Sequence, residues 1–61
     1  MADQYGKKAV IRILMQRDGL REQDAQEILR DCIREVEDGA DPEEVLMNDL
    51  GLEPDYVWAL L

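Results

Sequence analysis

The chain has no histidine, serine, threonine or phenylalanine, and Cys32 is its one cysteine in 61 residues. Each absence closes a route. A single cysteine makes no intrachain disulfide, and one thiol without histidine supplies too few ligands for a structural zinc. Nucleophilic catalysis needs an activated hydroxyl or thiol, and Cys32 has no imidazole beside which to act. No glycine-rich phosphate loop follows a strand pattern. A helical chain this small has little room for a substrate cleft. The expectation is a protein that is not an enzyme and uses no cofactor and no metal. No apolar run approaches the roughly 20 residues of a membrane span. The opening "MADQYGKKAVIRILMQRDG" has only a short apolar stretch without a small-residue cleavage site, so no signal peptide is expected. No low-complexity tract or internal repeat is visible. The unpaired cysteine fits a reducing, cytoplasmic setting.

What is present is acid. Fifteen Asp and Glu stand against seven Lys and Arg, a formal charge of −8. That balance argues against direct binding to nucleic acid or an anionic membrane, where phosphates demand a basic patch. It permits docking onto the basic surface of another protein, and it also serves solubility. A chain of this length buries roughly 60% of its unfolded surface and is marginal alone. Without disulfide or metal it relies on good helix packing or on a second copy. A homodimer is therefore expected.

The breakers cut the chain into segments. "RDGL" carries Gly19, "EDGADPEE" carries Gly39 and Pro42, and "DLGLEPD" carries Gly51 and Pro54. Glycine ends helices and proline is tolerated in the first turn of the next. Four helical segments follow, at roughly 4–17, 21–38, 42–50 and 54–60. Asp41 is the clearest N-cap, with Pro42 behind it, Glu44 in capping-box position and Glu43 beside the helix dipole. Arg21 is a poor cap for the second segment. Leu20 and Leu52 each follow a helix-ending glycine and are expected to fold back onto the last turn. No β-branched alternation marks a strand. The fold class is all-α, a single domain over residues 1–61, built as a compact bundle of three to four short helices.

At about 100° per residue, Ala25, Ile28, Leu29, Cys32 and Val36 make the core stripe of the second segment, with Ile33 at its edge. Cys32 reads as a small buried hydrophobe. Beside the stripe, Asp24, Glu27, Asp31, Glu35 and Asp38 fall within roughly 80° of one another. They form either a solvated face or a contact ridge for a basic partner. A divalent-cation site is the third reading, but no D-x-[DN]-x-[DN]-G loop supports it. Arg30 and Arg34 lie toward the back of the same helix, placed to relieve the repulsion through i,i+3 pairs. In the first segment Ala9, Val10, Ile13 and Leu14 make one stripe, and Ile11 and Met15 extend it opposite Arg12 and Gln16. Such an arc needs two neighbours, or one neighbour and a second subunit. In the last segment Tyr56 and Leu60 share one face, Val57 and Leu61 the next, and Trp58 points elsewhere. So short a helix must dock to be stable. Tyr and Trp are common interface anchors.

The stretches "MQRDGL", "DAQEILRDC", "GADPEEVL" and "LGLEPDYVWALL" together resemble a group of very small acidic helical proteins encoded by tailed phages and prophages. The likeness runs from Met15 onward and departs at Arg21, where a capping serine or threonine is more usual. Its motifs are mostly turns and caps. The resemblance implies context only: a protein made in the host cytoplasm during infection or from an integrated element, with no activity to carry over to particular residues.

Three functions follow as expectations. The first is a non-enzymatic acidic interaction module, a phage-encoded inhibitor of a host factor such as a defence or nucleic-acid-binding protein. Its partner-binding residues would be Asp24, Glu27, Asp31, Glu35 and Asp38 together with Ile11, Met15, Tyr56, Trp58 and Leu61. The second is an obligate homo-oligomeric structural or accessory subunit. The third is a sponge for a small signalling nucleotide, with Lys7, Lys8 and Arg12 as its basic patch.

Overall fold

The computed structural model describes residues 5–61. Helix α1 runs Lys7–Asp18, α2 Glu22–Glu37 and α3 Pro42–Val45. A π-helical turn over Leu46–Leu50 continues α3, and a 3-10 helix spans Pro54–Leu60. No strand occurs among the described residues. The all-α class and four-segment division are as the sequence indicated. Three details differ. The first segment opens at Lys7, two of the expected residues before it being Tyr5 and Gly6 and the third, Gln4, lying outside the described residues. The third segment widens from α to π geometry. The fourth is a 3-10 helix, not an α-helix.

Local chemistry explains the boundaries. The Asp41 carboxylate accepts from the Glu43 N–H at 2.9 Å and starts α3 behind Pro42. The cap is one-sided, and Glu44 instead lines a hollow described below. The end of α2 is a full Schellman motif. Gly39, at φ 112°, donates to the Val36 carbonyl at 3.0 Å, and Ala40 donates to the Glu35 carbonyl at 2.9 Å. At the π turn the Leu46 carbonyl accepts from both Gly51 and Leu52, the latter at 3.0 Å. Gly51 takes the left-handed φ of 67° that sends Leu52 back against the core.

The core joins all the helices: Val10 and Leu14 of α1, Ala25, Leu29 and Cys32 of α2, Val45 of α3, Leu46 and Leu50 of the π turn, and Ala59 and Leu60 of the 3-10 helix. Helix α1 packs against both α2 and the 3-10 helix, which accounts for part of its broad apolar arc and leaves Ile11 and Met15 half-buried. Tyr5 and Tyr56 meet edge to face, with centroids 5.2 Å apart and planes at 71°. The Cα radius of gyration, 10.5 Å, matches the roughly 10.5 Å expected of a compact chain this long. Ile28 corrects the sequence reading: it is 36% exposed and stands outside the core, while Ile33 packs against the core from the edge.

Candidate functional site

The five acids of α2, Asp24, Glu27, Asp31, Glu35 and Asp38, are all exposed. The α3 region extends them. Asp41, Glu44 and Asp49 join Glu35 around a shallow hollow of 260 Å³, with Ala40, Val45 and Asn48 completing its wall. Cys32 lies beneath its edge. The Cys32 Sγ and carboxylate oxygens of Glu35 and Asp49 all lie within 4.8 Å of one another. Glu35 and Cys32 are one turn apart on α2, whereas Asp49 arrives from the π turn. The sequence reading therefore found Glu35 and missed Asp41, Glu44 and Asp49. A spacing argument within one helix has no access to a contact made between two.

The electrostatics follow from this crowding. Glu35 is held above the usual carboxylate value, first by desolvation, then by sharing a proton with Asp49, and then by the charges of Asp49 and Asp31. Burial, followed by the charges of Asp49, Glu35 and Asp31, pushes the Cys32 thiol up to about 11. That direction favours the protonated thiol at neutral pH and lowers its reactivity. The expected relief from Arg30 and Arg34 does not occur. Among the described residues the one ion pair joins Arg17 to its neighbour Asp18 at 3.0 Å, away from this face. Arg30 turns instead toward α1.

A second surface lies between α1 and α2. Two adjoining hollows, of 250 and 400 Å³, share Ile11 and Gln26. Their apolar lining is Ile11, Met15, Leu29 and Ile33, and their charged rim is Lys7, Lys8, Arg12 and Arg30 with one acid, Glu22. Ile11 and Met15, half-buried against the core, are thus brought together with the basic patch the sequence had suggested at Lys7, Lys8 and Arg12. Arg30 was not foreseen in it.

The third surface is the 3-10 helix. Tyr56 and Val57 are half-buried, and Ala59 and Leu60 are fully buried. Trp58 is 72% exposed and Leu61 67% exposed. A 3-10 helix has three residues per turn, so side chains at i and i+3 eclipse. Asp55, Trp58 and Leu61 therefore form one straight outward row. Leu61 keeps the register, its N–H donating to the Trp58 carbonyl at 3.3 Å. This corrects the α-helical reading, which placed Leu61 with Val57 and left Trp58 alone.

No protein family, curated protein or solved structure matches the chain. Among the described residues no helix is long and apolar enough to cross a membrane.

Proposed function

We propose that the protein is a non-enzymatic acidic interaction module that docks on the basic surface of a protein partner in the cytoplasm. Read with the resemblance of its turn and cap motifs to small phage proteins, it acts as an inhibitor of a host factor, such as a defence protein or a nucleic-acid-binding protein whose basic groove the acids occupy. The observation that carries this reading is the convergence of Glu35, Asp41, Glu44 and Asp49 on one hollow at the end of the exposed α2 acid flank. Like charges gathered this way oppose folding, and no cationic side chain lines the hollow. A basic partner would supply the missing counter-charge and draw the complex together over long range.

The test is capture from host lysate on immobilised protein, read by mass spectrometry, followed by titration of the captured partner. The partner should present a basic surface. Its affinity should fall steeply between about 50 and about 500 mM salt, as screening shortens the reach of the acids. Removing two of the hollow's four acids with Glu35→Gln and Asp49→Asn should weaken binding and flatten the salt dependence. Binding that ignores both salt and these substitutions sinks the proposal.

A further inference from the structure

The α1–α2 groove and the Asp55–Trp58–Leu61 row are complementary, and neither is satisfied within one chain. In a molecule of net charge −8, four of the seven cationic side chains, Lys7, Lys8, Arg12 and Arg30, line the two adjoining hollows against a single acid, Glu22. Between them lies the apolar floor of Ile11, Met15, Leu29 and Ile33. An occupant must bring apolar bulk with an acid near it. The 3-10 row has that composition: a carboxylate at Asp55, an indole at Trp58 and an aliphatic side chain at Leu61. The lengths agree. The six steps from Asp55 to Leu61 at about 2.0 Å rise span roughly 12 Å, and the eight steps from Lys7 to Met15 along α1 at about 1.5 Å also span roughly 12 Å. The row cannot fill its own groove, because Ala59 and Leu60 of the same short helix are locked in the core with the row pointing outward.

We propose that the groove receives the Asp55–Trp58–Leu61 row of a second copy of this chain. Reciprocal exchange closes a two-fold dimer, in which each copy gives one row and accepts one. Trp58 is the anchor, its indole seated on Ile11 and Met15, and Asp55 meets the cationic rim. This contact uses neither the α2 flank nor the acidic hollow, so the dimer leaves both free.

The test uses sedimentation from about 1 to about 200 μM, with circular dichroism to confirm that each variant folds. The wild-type chain should show a monomer–dimer equilibrium. Trp58→Ala should raise the dissociation constant about 30-fold, as loss of an interface anchor does. Two charge variants sharpen the test. Lys8→Glu with Arg12→Glu leaves Lys7 and Arg30 outnumbered by the two new acids and Glu22, so an acidic groove faces an acidic row, and Asp55→Lys gives a basic row facing a basic groove. Both alter exposed side chains, and each alone should sediment as a monomer. Mixed together they should dimerise, because each row then meets a groove of opposite charge. A wild-type chain that stays monomeric throughout overturns the proposal, as does a dimer indifferent to Trp58→Ala or a mixture that fails to associate. So does a cyclic nucleotide that raises the melting temperature of the wild type but not of the Lys8→Glu, Arg12→Glu variant, which would assign the groove to a small anionic ligand.

Discussion

Arg17 and Leu50 are 33 residues apart, and the Arg17 Nη2 donates to the Leu50 carbonyl at 2.8 Å. A second, longer bond runs from Nη1 to the Gly51 carbonyl at 3.5 Å. The end of α1 thereby caps carbonyls at the close of the π turn, which have no helical partner. The same guanidinium holds the Asp18 carboxylate, so its orientation is fixed from two sides.

Arg17→Ala should therefore destabilise the chain by about 1 kcal/mol, the usual worth of a charge-assisted hydrogen bond to a partly exposed carbonyl. Arg17→Lys should recover little of it, because an ammonium cannot serve Asp18 and Leu50 with one planar fork. Urea denaturation checks both. A loss within experimental error would mean that water caps these carbonyls equally well.

The acidic hollow gives stability an inverted pH dependence. The folded value of Glu35 is raised, so the folded state holds its proton more tightly than the unfolded state does. Its contribution is fully present below the ordinary carboxylate value of about 4.3 and is lost as pH rises through the raised folded value. Melting temperature should thus rise as the pH is lowered from neutrality toward the ordinary carboxylate value. At lower pH the sign reverses, because the Arg17 hydrogen bond holds Asp18 below its usual value and that stabilisation disappears when Asp18 takes up a proton. Glu35→Gln should raise the melting temperature at pH 7.5 and shrink the gain on acidification. A flat profile in the wild type, or an unchanged one in the variant, contradicts the crowding of Glu35 against Asp49.

Cys32 is buried in the core and carries a thiol raised to about 11. At pH 8 the thiolate population alone should make alkylation on the order of a hundredfold slower than in the unfolded chain, with burial slowing it further. Raising the pH through 9 to 11 should cost stability, since the unfolded chain ionises its thiol first. Cys32→Ala should cost about 1 kcal/mol or somewhat more through lost packing. Rapid labelling of the folded protein would show that the α2–α3 seam opens under native conditions.

How far the fold was legible follows from where its information resides. Gly19, Gly39, Gly51, Pro42 and Pro54 act within a few residues of themselves, so the four segments and the Asp41 cap could be read directly from the sequence. The α2 stripe was legible except at Ile28, because helical periodicity places a residue on a face without saying how wide a surface the neighbours cover. Asp49 beside Glu35 and Arg30 beside Ile11 depend on how separate helices meet. No periodicity encodes those pairs. The 3-10 form of the final segment was also hidden. Its winding follows from what it packs against: Ala59 and Leu60 must be buried within seven residues while Tyr56 meets Tyr5 edge to face.

That winding yields a sharp contrast between adjacent residues. Leu60 is 2% exposed and touches the common core, whereas Leu61 belongs to the outward row. Leu60→Ala should cost about 2–5 kcal/mol, the range for opening a cavity in a packed core. Leu61→Ala should change monomer stability by less than about 0.5 kcal/mol, as exposed substitutions do. Both are measured by urea denaturation at a protein concentration low enough that the chain is monomeric, so that loss of an intersubunit contact does not enter. An α-helical tail would instead set Leu61 beside Val57, facing the bundle, and Leu61→Ala would then cost more than about 1 kcal/mol. The two outcomes separate the windings, and with them the row on which Trp58, Asp55 and Leu61 stand together.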